Sequence, residues 1–264
     1  MKKILQYLFE HKTLSRDTAK EVLVQIAQGA YNEHEVTSFV TVFLMRSITI
    51  DELMEFIKQL RQSSDGKPIG FKLCVGQPWE FFGIAKAMLK TNIYPDFIVV
   101  DGSEGGTGAA PVEFTDHVGM PLREGLRLVH NTLVGIGKRQ NIRIGASGKI
   151  ISGYDIVRAI AIGADWCNSA RGFMFALGCI QSRSCHTDHC PTGVATQDLN
   201  RQRALVVPDK AERVKNFHRH TVEALAELVG AAGMKHPEEI TAHQLMVRNS
   251  AGKATPMSLH LPPE

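Results

Sequence analysis

The chain has 264 residues, of which 44% are apolar and 22% are charged, and its formal net charge is +3. This composition is that of a globular protein of one or two domains, and it excludes a disordered tail or a coiled coil. The charge is too small for a chain of this length to indicate binding to nucleic acid. No run of about 18 apolar residues is present, which excludes a membrane span.

The first residues do not form an export signal, because Gln6, Glu10 and His11 interrupt the apolar stretch and no cleavage site follows. We therefore expect a cytoplasmic location. The chain has five cysteines, and three of them lie within residues 179–190. In a chain without an export signal, this crowding favours metal chemistry over disulfides.

Residues 1–63 are predicted to form four consecutive helices that pack as a bundle without a chemical role. Side chains able to cap these helices lie at the required spacings. The capping residues are Ser15, Gly29, the pair Asn32 and Glu35, and the pair Thr49 and Glu52.

Beyond residue 65, strands and helices alternate, which is typical of a parallel sheet. The predicted strands are 69–75, 97–102, 142–148 and 165–170. The predicted helices are 78–89, 121–136, 153–162 and 208–233, followed by a loosely ordered tail over 249–264. The fold class is therefore α/β, with about four βα units after an all-α segment.

Parallel α/β sheets carry their chemistry at the carboxyl ends of the strands, and three glycine-rich segments fall there. The segment 101–111, DGSEGGTGAAP, matches neither the dinucleotide fingerprint nor a P-loop, but its glycines let backbone N–H groups approach an anion or a flat ring. The other two segments follow the third and fourth strands, where eight-stranded barrels bind phosphate. Their candidate residues are Ser147, Gly148, Lys149, Ser169, Ala170, Arg171 and Gly172.

Lys72 lies near the end of the first predicted strand. It is a candidate cation beside a bound ring or a substrate carboxylate, and the alternative is a lysine that snorkels to the rim of the sheet. Cys74 and Cys167 lie inside predicted strands, and we interpret both as small core residues.

The segment 179–197, CIQSRSCHTDHCPTGVATQ, places Cys179, Cys185 and Cys190 at C-x5-C-x4-C spacing, with a proline after the last. Three thiolates on one loop can hold an iron–sulfur cluster that lacks one iron, and a proline follows the last ligand in ferredoxin-type loops. Two alternatives stay open. One is a zinc site made by Cys185, Cys190 and the two histidines between them, and the other is cysteines without a metal.

Five segments carry a family resemblance: GFKLCVGQPWEF, DFIVVDGSEGGTGAAP, IGASGKI, GADWCNSARGFMFALGCIQ and CHTDHCPTGVATQ. Over residues 52–248, the chain resembles the FMN-binding domain of the glutamate synthase family. The resemblance implies a partial (β/α)8 TIM-type barrel with FMN at its mouth and a [3Fe-4S] cluster on Cys179, Cys185 and Cys190. It also implies an oxidoreductase that forms glutamate from 2-oxoglutarate and ammonia through 2-iminoglutarate, with electrons from an NADPH-linked subunit or ferredoxin.

The same resemblance implies roles for individual residues. Lys72 would face the flavin or the substrate, and Glu104 would occupy the acidic position of the glycine loop, so these two are the expected catalytic residues. The implied cofactor-binding residues are Gly105, Gly106, Thr107, Gly108, Ser147, Gly148, Lys149, Ser169, Ala170, Arg171 and Gly172.

Residues 1–50 resemble a different family, the N-terminal helical subdomain of anthranilate phosphoribosyltransferase, which helps that family to dimerise. The glycine-rich phosphoribosyl pyrophosphate loop of that family is absent here, so we do not expect its activity. We interpret the chain as a fusion of 1–50 and 52–248 with a tail at 249–264.

Four βα units are half of the eight in a complete barrel, so the edges of the sheet need partners. We expect a homodimer, a second chain that supplies the missing half-barrel, or a helical segment that covers one edge. The alternative function is a non-catalytic interaction or dimerisation module from a truncated fusion. Nucleic acid and membranes are not expected as partners.

Overall fold

The computed structural model describes residues 1–10, 12–46, 49–105, 111, 113–248 and 252–260. The chain divides into two compact units, Met1–Phe71 with Phe81–Phe97 and Lys72–Glu80 with Ile98–Glu264. None of the helices in the described ranges combines the length and the apolar character that crossing a bilayer requires.

The chain begins with four helices, α1 (Lys2–Phe9), α2 (Arg16–Ala27), α3 (Glu33–Arg46) and α4 (Ile50–Ser63). Apolar side chains from this region meet in one buried cluster, as the helical spacing of the sequence predicts. The cluster consists of Leu8, Leu14, Ala19, Val22, Phe39 and Val42.

The predicted caps of these helices are confirmed. Reciprocal hydrogen bonds between side chain and backbone join Asn32 to Glu35 at the start of α3 and Thr49 to Glu52 at the start of α4. Ser15 accepts a hydrogen bond from a backbone N–H of the first turn of α2, and a glycine with φ of +72° follows that helix. Both features stabilise helix ends through groups only a few residues apart in the chain.

The main sheet of the described chain has four parallel strands, β1 (Gly70–Leu73), β2 (Phe97–Asp101), β3 (Arg143–Ser147) and β4 (Trp166–Asn168), in that spatial order. Between the strands lie α5 (Pro78–Thr91), α6 (Leu122–Gly135) and α7 (Gly153–Ile162). This order of elements confirms the predicted α/β class, a partial barrel of four βα units after an all-α segment.

In the described part of the chain, three further helices and a small second sheet follow β4. They are α8 (Arg171–Leu177), α9 (Leu199–Gln202) and α10 (Val207–Ala231), then the antiparallel pair β5 (Met246–Arg248) and β6 (Ala254–Pro256). The segment expected to be a loose tail therefore contains a strand. A 3-10 turn follows β6 and buries Met257, whose N–H donates to the carbonyl of Leu245 at 2.7 Å.

The two cysteines expected in the core differ in their surroundings. Cys74 is exposed rather than part of the core, because β1 ends one residue before it. Cys167 does lie in β4, and burial raises the pKa of its thiol to about 12.

Two aspartates hold the amino ends of the strands by the same arrangement. Asp96, just before β2, accepts the N–H of Ile69 through its carboxylate and donates its own N–H to the carbonyl of Ile69, each at 2.7 Å. Asp165, just before β4, exchanges the same two hydrogen bonds with Ile144, at 2.6 and 2.7 Å. We call these two arrangements the aspartate clamps.

Arginines neutralise both clamps. Arg61 donates to Asp96 at 2.8 Å, and Arg139 and Arg143 donate to the two carboxylate oxygens of Asp165 at 2.9 Å each. Burial of Asp96 disfavours its charged form, but the hydrogen bonds from Arg61 and from a backbone N–H outweigh burial, so the pKa of Asp96 lies below its usual value. The carboxylate of Asp96 is therefore charged at neutral pH, in the form that accepts these bonds.

Replacing Asp165 by alanine is expected to lower the free energy of unfolding by roughly 2–4 kcal/mol, because Arg139 and the N–H of Ile144 lose their acceptor. Glu212→Ala is the matched control, since Glu212 is exposed and its ion pair with Lys215 lies at the surface. Urea unfolding followed by circular dichroism measures both variants. Equal losses of stability in the two would contradict the role given to the clamp.

Candidate functional site

An ion pair lies at the carboxyl ends of β1 and β2. Lys72 Nζ is 2.5 Å from Asp101 Oδ2, with side-chain exposures of 55% for the lysine and 19% for the aspartate. The N–H of Gly102 donates to the carbonyl of Ser147 at 2.8 Å, which joins the ends of β2 and β3. An anion that binds Lys72 must therefore compete with a carboxylate already in place.

Glu104 lies in the 3-10 turn Ser103–Gly105, immediately after β2. Both of its carboxylate oxygens are 2.9 Å from the backbone nitrogen of Leu122, the first residue of α6. Pro121 at the N-cap provides no side-chain cap, so Glu104 supplies the acceptor and places a negative charge at the amino end of the helix. The structure thus gives this expected catalytic carboxylate a role in holding α6.

The glycine loop after Glu104 is described only in part. Gly105 lies in the 3-10 turn, whereas Gly106, Thr107 and Gly108 lie outside the described residues. The chain then returns to the strand ends, where the N–H of Asp116 donates to the carbonyl of Ser103 at 3.1 Å.

Gly148 and Lys149 follow β3 with φ of +145° and +48°. A Cβ on Gly148 would lie 3.3 Å from the nitrogen of Gly102, so glycine permits the close approach of two backbone segments here. Lys149 Nζ is 2.6 Å from Asp116 Oδ1. The hydrogen bond from Lys149 outweighs burial and lowers the pKa of Asp116, and the charge of Arg183 in the cysteine loop adds to this effect.

Glu104, Gly148 and Lys149 come together around one cavity of about 180 Å³, with Arg123 and Arg158 also in its wall. Pockets for small molecules and cofactors typically measure about 300–1,000 Å³. The wall carries three cationic side chains and also two carboxylates, those of Glu104 and Asp155, and Asp155 lies 3.2 Å from Arg158. A phosphate-sized anion that enters this cavity must therefore compete with carboxylates already in place. A whole flavin nucleotide has no room in this cavity.

The segment after β4 lies next to that cavity. Ser169 Oγ donates to the carbonyl of Ile150, a wall residue, at 2.7 Å. Ala170 is the N-cap of α8, and Arg171 begins this helix of seven residues. A Cβ on Gly172 would lie 2.6 Å from a phenylalanine ring of α10, so this glycine permits close packing of α8 on α10.

The cysteine loop has a defined shape. All three of its thiols are free. Between Cys179 and Cys190, the non-glycine residues Gln181, Arg183 and Asp188 have left-handed φ of +56°, +56° and +63°. Such conformations are uncommon for residues other than glycine, and they persist where surrounding contacts impose them.

Cys190 is the most enclosed thiol of the loop, with 5% of the residue exposed. Burial alone would raise the pKa of this thiol. Hydrogen bonds from the Thr192 hydroxyl and from the backbone N–H groups of Ala195, Thr192 and Val194 outweigh burial and lower the pKa to about 7. Cys190 therefore lies in a pocket of donors that stabilises a thiolate.

The three thiols do not converge on a common centre. Among the described residues, which include Cys179, Cys185 and Cys190, no group of three His, Cys, Asp or Glu side chains is placed to hold a metal ion. Thiolates are ligands that iron–sulfur clusters prefer. The three thiols of this loop, however, are not placed so that they could bind one common metal centre. The same finding applies to the zinc alternative, because its four ligands come from the same loop.

Three aspartates that the sequence analysis did not identify organise the site: Asp101, Asp116 and Asp188. Asp188 accepts the N–H of Gln197 at 2.6 Å, and its carbonyl accepts the hydroxyl of Thr196 at 2.5 Å, which closes the cysteine loop. Asp101 could have been identified from the sequence, because it lies at the end of a predicted strand. The partners of Asp116 and Asp188 lie 33 and 9 residues away, beyond any local pattern.

The fold and the strand-end site define an α/β domain of the barrel-forming class. Residues 43–235 match a family model described as a conserved region in glutamate synthase, and residues 2–64 match the helical bundle domain of a glycosyl transferase family. The chain therefore belongs to the glutamate synthase family. Both segments of the resemblance expected from the sequence are confirmed.

Curated relatives agree with this assignment. The chain is 42% identical over 201 residues to the glutamate synthase large subunit-like protein YerD of Bacillus subtilis, and the alignment covers 76% of this chain and 38% of that protein. It is 34% identical over 203 residues to the archaeal glutamate synthase (NADPH) of Methanocaldococcus jannaschii, covering 76% and 39%. The chain thus spans about two fifths of the length of these relatives.

Glu104→Ala is expected to lower the free energy of unfolding by about 1 kcal/mol, because the first turn of α6 loses its acceptor and a favourable charge. Glu113→Ala is the control, since Glu113 is an exposed glutamate of the same connection. Urea unfolding without added cofactor measures both. If the two variants were equally stable, Glu104 would not be holding α6.

Proposed function

We propose that the chain is part of a glutamate synthase-type oxidoreductase that forms glutamate from 2-oxoglutarate and ammonia. The observation that carries this proposal is the family match over residues 43–235, which includes all the described strands of the main sheet. Ammonia would condense with the keto carbon of 2-oxoglutarate with loss of water, giving 2-iminoglutarate. Two electrons and two protons would then reduce its C=N bond to the C–N bond of glutamate.

The proposed cofactor of the strand ends is FMN, which when bound supplies hydride transfer to the imine. Ser147, Gly148 and Lys149 would hold its phosphate, because Gly148 and Lys149 place a glycine backbone and a cation in the wall of a small cavity directly after Ser147. The segment Ser169 to Gly172 and the glycine loop would complete the phosphate contacts. The flavin ring needs surface beyond that cavity, which would come from a further chain or further residues.

Lys72 is the residue proposed to orient the substrate. Its ammonium group is half exposed and lies at the strand ends, so it can exchange Asp101 for a substrate carboxylate. Glu104 is proposed to act less directly. By holding the start of α6 next to the glycine loop, it would position the backbone that faces the cofactor.

The proposed metal group is a [3Fe-4S] cluster on Cys179, Cys185 and Cys190. Its support is the C-x5-C-x4-C spacing, the free thiols and the donors that stabilise Cys190 as a thiolate. Because the thiols do not converge in the structure, cluster binding would have to draw the loop together. Free thiols of this number suit a reducing compartment, which supports the proposal of a cytoplasmic location.

The proposed partners are an electron donor and a chain that completes the sheet. Relatives are named for NADPH or for ferredoxin, and either could supply the electrons. A second copy of this chain, or a chain with the other half-barrel, would pair with the edges of the four-stranded sheet. We infer that 1–50, 52–248 and 249–264 are separate segments of the fusion.

A non-catalytic interaction module is the second candidate. The observation in its favour is the cavity of about 180 Å³ at the strand ends, which is too small for a flavin nucleotide. Anaerobic purification followed by visible spectroscopy and iron analysis separates the two candidates. About one FMN and one three-iron cluster per chain would support the oxidoreductase. The absence of both flavin and iron would support the interaction module.

Cys185→Ser is expected to abolish iron binding, since a cluster with three protein ligands has no spare thiolate. Cys74→Ser is the matched control, because Cys74 is a free, exposed cysteine outside the loop. Iron per chain after anaerobic reconstitution is the measurement. Iron content that is unchanged in Cys185→Ser would remove the cysteine loop from the metal site.

Ser147→Glu is expected to weaken FMN binding about tenfold or more, because the new carboxylate repels the phosphate. Ser38→Glu adds the same charge on an exposed position of α3 and should leave the affinity unchanged. Quenching of flavin fluorescence on titration with protein gives both dissociation constants. Similar constants for Ser147→Glu and the unmodified chain would place the phosphate elsewhere.

A further inference from the structure

Residues 113–120 lie across the carboxyl ends of the strands, and we call this segment the strap. Just beyond β1, the N–H of Met120 donates to the carbonyl of Val75 at 2.7 Å. Just beyond β2, the N–H of Ser103 donates to the carbonyl of Met120 at 3.0 Å, and the N–H of Asp116 donates to the carbonyl of Ser103 at 3.1 Å. The strap therefore covers strand ends that belong to the proposed FMN site.

An ion pair joins the strap to the end of β3. Asp116 Oδ1 is 2.6 Å from Lys149 Nζ, and the two side chains are 38% and 44% exposed. Both residues have left-handed φ, +74° for Asp116 and +48° for Lys149, and such conformations persist where surrounding contacts impose them. Their ion pair is one of these contacts, and its partial exposure makes it weak. Loss of the pair should therefore favour movement of the strap.

Lys149 also lines the cavity at the strand ends, so the strap and an anion in that cavity compete for the same ammonium group. A second cation of the wall, Arg123, is exposed and has no ion-pair or hydrogen-bond partner among the residues that the structure describes. The two carboxylates of the wall have partners already, the first turn of α6 for Glu104 and an arginine for Asp155. A phosphate group in this small cavity can therefore gain charge-assisted contacts from both Arg123 and Lys149.

We propose that Asp116 is a positioning residue whose ion pair with Lys149 favours the closed strap, and that a phosphate group bound to Lys149 shifts the strap toward an open position. The proposal rests on the proposed function, because it takes Gly148 and Lys149 as the place where the phosphate of FMN binds. Opening would uncover the strand ends and give the rest of the nucleotide space that the cavity alone lacks. The phosphate therefore binds first and the flavin ring second.

Hydrogen exchange of the strap amides, followed by mass spectrometry of the peptides that carry them, measures how often the strap opens. Asp116→Asn removes the charge, and asparagine tolerates the left-handed conformation. This variant should speed the exchange roughly two- to fivefold, the range expected for a partly exposed ion pair. Asp209→Asn is the matched control, because it removes the carboxylate of another exposed ion pair, with Lys210. It should leave the exchange of the strap unchanged.

Inorganic phosphate is the probe for the opening step, and chloride at the same ionic strength is its control, since any salt screens the ion pair. Phosphate should speed the exchange of the strap in the unmodified chain and leave it unchanged in Asp116→Asn. Because coupling between binding and opening is reciprocal, Asp116→Asn should also bind phosphate more tightly, by about the factor by which its exchange rises. Isothermal titration of the full chain measures that affinity.

Lys149→Gln breaks the same ion pair from the other side. This variant and the double variant should exchange as fast as Asp116→Asn, because all three lose one shared interaction. The proposal is overturned if Asp116→Asn exchanges like the unmodified chain, or if the double variant is faster than both single variants. Phosphate that binds in the titration without speeding exchange would overturn the opening step and leave the proposed phosphate site standing. If neither the unmodified chain nor Asp116→Asn binds phosphate, the opening step fails because the proposed phosphate site itself fails.

Discussion

Each aspartate clamp couples the start of one strand to the chain of the strand before it, through two hydrogen bonds exchanged with a single isoleucine. The strands of the main sheet have only three to five residues, so a shift of one residue would move a strand end by about 3.3 Å and turn its side chains to the opposite face. Asp96 and Asp165 prevent such a shift. At the other end of β3, the pairing of Ser147 with Asn168 of β4 depends on the register that Asp165 holds.

Each lysine at the strand ends already forms an ion pair with a carboxylate. Lys72 pairs with Asp101, and Lys149 pairs with Asp116. These pairs are partly exposed, so each is weak enough for an anionic ligand to displace the aspartate. The charge pattern therefore suits reversible binding of phosphate and carboxylate groups. The small volume enclosed there agrees with the proposal that a further chain completes the site.

Spacing along the chain and geometry in space give different information about the cysteine loop. Cys179, Cys185 and Cys190 have a ligand-like spacing, and their thiols are free, but they do not meet at one point. The hydrogen bonds of Asp188 close the loop. Its shape is thus set by hydrogen bonds between side chains and the backbone, and any cluster would have to rearrange it.

Helix ends, the α/β class and the family could all be read from the residues, because capping pairs lie three residues apart and apolar periodicity is a local property. The clamps, the use of Glu104 as the cap of α6, the pairing of Lys149 with Asp116 and the burial of Met257 could not. Their partners lie far apart in the chain, 18 residues for Glu104 and 33 for Lys149, and meet only once the strands and helices have packed.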